Sequence, residues 1–186
     1  MYNIVVLSSS GGGNFDVVAN NQRKLDYNVS KLIVDRECGA IEKAKKNNIK
    51  YEIVEKESII NDLISYIPKD TNLVVLLGWL TILPETFLDK CKCPIINMHP
   101  SLLPLYGGMG MYGVKVHEAV MKNKEEYTGC TVHYVTSKVD SGEIILQKKI
   151  KVDYDKTPWQ MGGEVFKLEN KIILEAILLL KDKADT

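Results

Sequence analysis

The sequence has no surplus of either charge and no apolar run long enough to cross a bilayer. Its 24 basic residues balance its 24 acidic residues, so the composition gives no electrostatic sign of a nucleic-acid partner. Apolar runs such as Leu73 to Leu77 are far shorter than the roughly 20 residues that a membrane helix needs. The first residues also lack the basic start and apolar region of an export signal. We therefore expect a cytoplasmic protein with neither a nucleic-acid nor a membrane partner.

Cysteine and metal motifs are equally sparse. Four cysteines in 186 residues do not form the dense pattern of a disulfide framework. Cys91 and Cys93 make a C-x-C, but no second ligand pair stands near them at zinc spacing, so we expect reduced thiols and no metal. No serine lies in a G-x-S-x-G motif, and this absence favours chemistry without a covalent enzyme intermediate.

The chain does contain a regular alternation of short apolar strands and amphipathic helices. Strands are predicted at Asn3–Leu7, Val29–Val34, Tyr51–Val54, Leu73–Leu77 and from Ile95, and helices at Gly39–Asn47, Ser58–Ile67 and Pro84–Leu88. This order predicts an α/β, Rossmann-like, doubly wound and mostly parallel sheet with helices on both faces. Leu73–Leu77 is expected at its centre.

The C-terminal part is predicted to differ from this parallel pattern. Cys130–Val135 and Glu143–Val152 alternate in polarity, and we expect an antiparallel strand in this region. Thr157 to Gln160 has the pattern of a capping box and opens the last helix. The length fits one domain, 1–186.

Polar groups follow several of the predicted strands at their carboxyl ends, where ligands bind in parallel sheets. The glycine-rich turn Ser8–Asn14 joins a strand to a helix, and backbone N–H groups at such a helix start can bind an anion. The turn matches neither the dinucleotide fingerprint nor the Walker A motif. A tight turn without a ligand is an equally good interpretation of this stretch alone.

The stretch Asn97–Gly110, NMHPSLLPLYGGMG, carries the strongest chemical signal. Asn97 and His99 point to one face of an extended strand, and Pro100 ends regular pairing beside them. An amide N–H can donate to a developing oxyanion, and an imidazole can move protons near neutral pH. A carboxylate should orient the imidazole and favour its charged form, and Asp140 is the best candidate. The pattern predicts acyl-type transfer.

The other two histidines are predicted to be structural. His117 falls on the apolar face of its helix, where a packed, hydrogen-bonded histidine is the more common case. His133 lies within a strand among apolar residues.

Three blocks of sequence resemble the folate-dependent formyltransferases: Asn97-x-His99-Pro100-Ser101-Leu102-Leu103-Pro104, Gly129–Val135, and Asp140-x-Gly142-x-Ile144-Ile145. The loop Tyr106–Gly113 and the following Val116–Val120 resemble the branch that acts on glycinamide ribonucleotide in purine synthesis. The resemblance runs from the first strand to the last helix.

This resemblance implies direct transfer of a formyl group from 10-formyltetrahydrofolate, as co-substrate, to the amine of glycinamide ribonucleotide. It implies that Asn97 binds the formyl oxygen and that His99 is a proton donor and oxyanion partner. Asp140 would hold His99 charged and order a water for proton relay.

The resemblance also implies two sets of binding residues. The ribonucleotide would contact Gly12, Gly13, Asn14, Pro100 and, at its ribose, Glu169. The folate would contact Leu80, Thr81, Ile82, Leu83, Asn97, Thr136, Ser137, Lys138, Val139 and Asp140.

Departures from the family pattern keep other functions open. Gly13 stands where Ser or Thr is usual, Phe166 where Lys or Gln is common, and no arginine lies in Glu55–Tyr66 for the glutamate tail of the folate. The alternatives are formyl transfer to another small amine, such as an amino-sugar nucleotide, and a non-catalytic nucleotide-binding module. A monomer or a homodimer is expected.

Overall fold

A computed structural model describes all residues from 1 to 186 as seven strands, six α-helices and one 3₁₀ turn. The strands are β1 (Tyr2–Ser8), β2 (Tyr27–Val34), β3 (Tyr51–Ile53), β4 (Leu73–Leu76), β5 (Ile95–His99), β6 (Tyr127–Tyr134) and β7 (Ile144–Lys151). The helices are α1 (Gly13–Asn21), α2 (Gly39–Lys46), α3 (Lys56–Asp62), α4 (Glu85–Lys90), α5 (Val114–Lys122) and α6 (Pro158–Ala184), and the 3₁₀ turn is Leu63–Tyr66. No helix combines the length and the apolar character needed to span a membrane.

The strands follow the order β3-β2-β1-β4-β5-β6-β7. The pairs β1–β2, β1–β4, β2–β3 and β4–β5 are parallel, and β6–β7 is antiparallel. This topology confirms the predicted mostly parallel α/β sheet with an antiparallel strand near the C-terminus. β4 is fourth of the seven strands, as expected from its continuous apolar run, and all four of its residues are buried.

The chain divides into two compact units, an N-terminal unit (Met1–Asn97) and a C-terminal unit (Met98–Thr186). In the N-terminal unit, β1 and β2 bury apolar side chains that include Ile4, Leu7 and Leu32, and Phe15 of α1 is also fully buried. The side chains of a parallel sheet covered by helices are removed from water on both faces, so its strands lose the alternation of a half-exposed sheet. The prediction of one domain stays a prediction.

The C-terminal unit contains the β6–β7 pair, α5 and the 27-residue helix α6. α6 opens with the predicted capping box, in which Gln160 N donates to Thr157 Oγ1 and Thr157 N donates to Gln160 Oε1. Its buried face includes Val165, Ile172 and Ile173, whereas Trp159 in its first turn is 77% exposed. Reciprocal capping satisfies two backbone donors that the first turn leaves without a helical partner.

Two helix predictions are wrong in detail. Ser58–Ile67 was expected to be one helix, but α3 ends at Asp62 and a 3₁₀ turn follows. The Ser65 hydroxyl donates to the Asp62 carbonyl at 2.9 Å, which gives that oxygen a side-chain partner at the change of helix type. Pro84 is the N-cap of α4 rather than its first helical residue, because its ψ of 148° is extended.

Candidate active site

Asn97 and His99 of the N-x-H motif lie two residues apart at the end of β5, so their side chains are on the same face of the strand. Asn97 is half-buried and His99 is only 4% exposed. Regular pairing ends at His99, since Pro100 has no N–H for a ladder. The chain then turns, and the Ser101 hydroxyl donates to the Leu105 carbonyl at 2.6 Å. This turn brings Tyr106 back beside His99.

The two ring nitrogens of His99 face different partners. Nε2 lies 2.8 Å from the carbonyl oxygen of Tyr106, and Nδ1 lies 3.5 Å from Oδ2 of Asp140. A carbonyl oxygen can only accept, so the contact with Tyr106 assigns the proton to Nε2. In the neutral ring, the Nδ1 lone pair therefore faces the carboxylate. A proton that arrives at Nδ1 would convert this contact into an ion pair.

Asp140 is fixed by a glycine-rich loop of the same unit. Gly108 N donates to Asp140 Oδ2 at 2.8 Å. A Cβ atom on Gly107 would lie 3.2 Å from Asp140 Cβ and 2.5 Å from Leu103 Cδ2. Only glycine allows the loop to approach the carboxylate this closely. The predicted pair of His99 and Asp140 is thus brought together, and the loop residues take part in positioning it.

His133 joins this cluster, which sequence reasoning missed. Its Nε2 lies 3.5 Å from Asp140 Oδ1, and its Nδ1 donates to the Tyr134 carbonyl at 2.8 Å. The side chain is 2% exposed, so the expectation that it lies in a packed strand is met. Its place beside Asp140 goes beyond a structural role, and the carboxylate lies between two imidazoles.

Burial and charge act in opposite directions on the pKa of His99. Burial lowers this pKa below its ordinary value, and the opposing attraction of Asp140 and the Tyr106 carbonyl is smaller. Asp140 therefore acts in the predicted direction, but burial has the larger effect. Burial raises the pKa of Asp140, but His133, His99 and Gly108 together outweigh it and hold that pKa below its usual range. The cluster is a carboxylate between two imidazoles.

His117 also differs from its prediction. It is 6% exposed and packs against Gly162 of α6, where an added Cβ would lie 2.7 Å from its Cδ2 atom. It is packed as expected, but its buried Nδ1 has no hydrogen-bond partner. Burial lowers the pKa of His117, and the nearby His99 lowers it further.

In the N-terminal unit, the glycine-rich turn leads into α1 without a side-chain cap. Gly12 is the N-cap, with a φ of +75°, and a Cβ there would lie 2.5 Å from the Cα of Ala40. The close approach and the positive φ both require glycine. The predicted phosphate residues Gly12, Gly13 and Asn14 therefore surround a helix start whose N-cap residue has no side chain to cap it.

The turn lies next to the predicted folate segment within the same unit. Leu80 N donates to Ser9 Oγ at 3.0 Å, and Ser9 N donates to the Gly78 carbonyl at 3.0 Å. The side chains of Leu80 and Ile82 are 45% and 55% exposed, whereas Leu83 is buried. Exposed apolar side chains beside ordered backbone groups are suited to a flat apolar ligand. Trp79, just before them, is half-buried, and its buried indole N–H has no partner.

A buried carboxylate at this edge, Asp35, was also missed. Its Oδ2 accepts from Thr81 Oγ1 at 2.6 Å, and Arg36 donates to both of its oxygens at 2.9 Å. Burial raises the pKa of Asp35, but Arg36, Thr81 and Ser9 outweigh it and lower the pKa overall. Thr81, one of the predicted folate residues, is thus fixed by a paired charge. The position of Asp35 directly after a buried strand was the signal available in the sequence.

The remaining predicted residues lie in the C-terminal unit. Thr136 to Val139 form an exposed turn in which the Thr136 and Ser141 hydroxyls both donate to the Lys138 carbonyl. Glu169 is 8% exposed in α6, and its carboxylate adds to the burial that raises the pKa of Cys130 to about 12. Its contact with a ribose stays a prediction.

The comparison with known proteins decides the family. A family model described as formyl transferase matches residues 2–177. The chain belongs to the formyl transferase family.

Curated relatives of this chain are named phosphoribosylglycinamide formyltransferase. It is 30% identical over 205 residues to the phosphoribosylglycinamide formyltransferase of Dictyostelium discoideum, a match that covers 98% of this chain and 99% of the relative. It is also 30% identical to the chloroplastic phosphoribosylglycinamide formyltransferase of Arabidopsis thaliana, covering 94% of this chain. The chain spans only 63% of the Arabidopsis relative and 59% of the Vigna unguiculata relative.

Solved structures support the fold of this formyl transferase over its length. The phosphoribosylglycinamide formyltransferase of Anaplasma phagocytophilum matches with a TM-score of 0.88 at 28% identity, covering 98% of this chain and 88% of that one. Glycinamide ribonucleotide transformylase 1 of Symbiobacterium toebii matches with a TM-score of 0.87 at 26% identity, covering 98% and 89%.

Proposed function

We propose that this formyl transferase moves a formyl group from 10-formyltetrahydrofolate to the amine of glycinamide ribonucleotide, a step of de novo purine biosynthesis. The observation that carries the proposal is the carboxylate of Asp140 between the imidazoles of His99 and His133. The similarity to proteins named phosphoribosylglycinamide formyltransferase supports the choice of acceptor.

The proposed reaction begins with direct attack of the substrate amine on the formyl carbon. The Asn97 amide N–H donates to the formyl oxygen as it becomes an oxyanion. Removing water from such a donor strengthens the interaction, and Asn97 is already half-buried before any ligand binds. No enzyme nucleophile takes part, in keeping with the absence of an activated Ser or Cys from the cluster.

His99 and Asp140 carry the proton in this mechanism. The attacking amine must lose a proton, and the nitrogen of the leaving tetrahydrofolate must gain one. Neutral His99 offers its Nδ1 lone pair beside Asp140, so a proton taken up there, directly or through water, is stabilised by the carboxylate. The same proton then passes to the leaving nitrogen as the carbon–nitrogen bond of the folate breaks.

The hydrogen bond to the Tyr106 carbonyl limits whether His99 can also contact the oxyanion. The carbonyl accepts the Nε2–H at 2.8 Å, so this donor is engaged in the protein without substrates. A contact of Nε2–H with the oxyanion therefore requires Tyr106 to move, or the ring to turn. We assign the first oxyanion contact to Asn97 and propose that His99 contributes after the loop of Tyr106–Gly113 shifts.

Substrate binding is proposed at the residues that the family resemblance named. The uncapped start of α1, with Gly12, Gly13 and Asn14, suits the phosphate through backbone N–H groups. Pro100 and Glu169 are proposed to complete the ribonucleotide site. Leu80 to Leu83 and Thr136 to Asp140 are proposed to border the folate.

We also propose a domain organisation, a cellular location and an assembly state. The family model spans both compact units, which supports one formyltransferase domain over 1–186. A cytoplasmic location is proposed from the sequence, although the plant relatives are named chloroplastic. We propose a monomer or a homodimer that acts on small molecules without a metal.

The deciding experiment measures tetrahydrofolate formation with glycinamide ribonucleotide as acceptor. We expect saturable turnover that depends on both substrates. Amino-sugar nucleotides are tested as alternative acceptors in the same assay. Turnover with an amino-sugar nucleotide but not with glycinamide ribonucleotide would show that the proposed acceptor is wrong. Nucleotide binding in calorimetry with no formyl transfer to either amine would instead support a non-catalytic binding module.

A further inference from the structure

We propose that Cys91 and Cys93 form a redox-active dithiol, which cycles between two thiols and one intramolecular disulfide by exchange with a small-molecule disulfide. The pair lies in the N-terminal unit, between α4 and β5. Formyl transfer makes no use of it, so this site is independent of the proposed function.

The two sulfur atoms are already in contact. Their Sγ atoms are 3.5 Å apart, and Cys91 Sγ also lies 3.6 Å from the Cys93 carbonyl oxygen. A disulfide has an S–S distance of about 2.05 Å, so closing the pair requires an approach of about 1.5 Å. Residues two apart have Cα atoms separated by at most about 7 Å, near the limit that a disulfide spans. Side-chain rotation supplies most of this movement.

The segment that carries the pair is anchored at both ends. Cys91 N donates to the Phe87 carbonyl at 2.9 Å and closes the last turn of α4. At the other end, Val74 N donates to the Pro94 carbonyl at 3.0 Å as β5 begins to pair with β4. These anchors hold both thiols in one short loop, and both remain half-exposed and reachable by a small disulfide.

The contact between the two sulfur atoms shifts the pKa values of the two thiols in opposite directions. The hydrogen bond from Cys93 lowers the pKa of Cys91 to about 7, although burial opposes it, and raises the pKa of Cys93. The thiolate is the form that attacks a disulfide, so the lowered pKa favours attack by Cys91. Cys91 is the attacking sulfur and Cys93 the resolving sulfur.

The exchange balances with one disulfide consumed. The Cys91 thiolate attacks one sulfur of the disulfide RSSR, the S–S bond breaks, and RS⁻ leaves and takes a proton. Cys93 loses its proton and attacks Cys91 Sγ, which expels the second RS⁻, also protonated by solvent. The two cysteines are oxidised to one disulfide, and RSSR is reduced to two RSH. Excess RSH or dithiothreitol reverses both steps.

The remaining cysteines provide internal references. Cys130 is fully buried, and burial raises the pKa of its thiol to about 12, so it should not react in the folded protein. Cys38 is half-exposed at the start of α2 and has no second cysteine beside it in sequence.

The test incubates the full chain with oxidised and reduced glutathione, followed by alkylation and mass spectrometry. Cleavage after glutamate keeps both cysteines in the peptide of residues 86–118. We expect this peptide to become about 2 Da lighter, to resist alkylation, and to regain both thiols with dithiothreitol. The oxidised fraction should not depend on protein concentration, and Cys38→Ser should leave the result unchanged.

Single variants separate the two roles. Cys93→Ser should stop at a mixed disulfide on Cys91, formed about threefold or more faster than the mixed disulfide on Cys93 in Cys91→Ser. Serine retains a hydroxyl donor toward Cys91, so the thiolate keeps its partner. Accumulation of glutathione adducts on the wild-type peptide without a light, alkylation-resistant form would overturn the proposal.

Discussion

Each compact unit contains an aspartate whose side chain is almost fully removed from water, Asp35 in one and Asp140 in the other, and the partners of these two carboxylates differ in kind. Asp35 in the N-terminal unit is held by the permanently charged Arg36 and by Thr81. Asp140 in the C-terminal unit is flanked by the imidazoles of His99 and His133. All three histidines of the chain lie in the C-terminal unit.

This difference in partners distinguishes a carboxylate that only positions other groups, Asp35, from one that can take part in proton transfer, Asp140. Both carboxylates have lowered pKa values despite burial, so the direction of the shift does not tell them apart. The guanidinium beside Asp35 keeps its proton at every physiological pH, and this pair can only hold a shape. The imidazole of His99 beside Asp140 is a group that can gain and lose a proton. The kind of partner indicates which carboxylate can take part in chemistry.

The largest expected effect comes from replacing Asp140. Asp140→Asn keeps the size of the side chain but removes the charge that stabilises a proton on His99, so we expect kcat to fall about 10³–10⁴-fold. Steady-state kinetics of tetrahydrofolate formation measures this change, with both substrates still binding. The matched variant Asp35→Asn should change kcat less than tenfold and act mainly on stability or on the KM for folate. Equal losses of kcat in both variants would remove the distinction between the units.

An intermediate effect is expected at the glycine-rich turn. Gly12→Ala places a Cβ 2.5 Å from the Cα of Ala40 and puts alanine at a φ of +75°. We expect a loss of about 1–3 kcal/mol in the free energy of unfolding and a higher KM for the ribonucleotide. Urea unfolding and substrate titrations measure the two effects. Gly11→Ala is the control, because a Cβ there meets no atom within 4 Å; an equal effect in both variants would contradict this account.

The smallest effect is a pH dependence of stability that belongs to the C-terminal unit. His99 and His117 both have pKa values lowered by burial, so the unfolded chain binds more protons than the folded one as pH falls below about 6.5. Stability is therefore present above this pH and is lost on acidification, by at most about 1.4 kcal/mol per pH unit for each histidine.

Urea unfolding at pH values from 7.5 to 5 measures this dependence. The double variant His99→Gln, His117→Gln should show a flatter profile than the wild type over this range. A profile with an unchanged slope would show that these two histidines do not carry the effect. The matched variant in the N-terminal unit, Asp35→Asn, should shift the profile without flattening it.

The sequence predicted the fold well because the main strands are continuous apolar runs. Leu73 to Leu76 are all buried, and such a run is compatible with few places other than the middle of a covered sheet. The capping box of α6 was equally readable, since Thr157 and Gln160 stand at the spacing that the motif needs. The change to a 3₁₀ turn at Leu63 was not, because the same apolar periodicity fits both helix types over one turn.

The site was predicted less completely. Asn97, His99 and Asp140 were predicted from an N-x-H at a strand end and from the family resemblance. The structure brings His99 and Asp140 together, and the catalytic roles stay predictions. His133 and Asp35 were missed because their roles depend on contacts across 7 and 46 residues of sequence, to Asp140 and to Thr81 respectively. The sequence also could not show that burial affects the pKa of His99 more than the carboxylate at 3.5 Å does.

The two tryptophans give each unit its own optical reporter. Trp79 lies half-buried beside the proposed folate segment in the N-terminal unit, and Trp159 lies 77% exposed at the start of α6 in the C-terminal unit. Indole emission shifts to shorter wavelengths as the ring leaves water, so the two contributions to the spectrum are separable by acrylamide quenching. Trp159→Phe leaves a single tryptophan, Trp79 in the N-terminal unit, which can be excited apart from the tyrosines. Titrations with that variant then follow ligand binding at Leu80–Leu83 without a label.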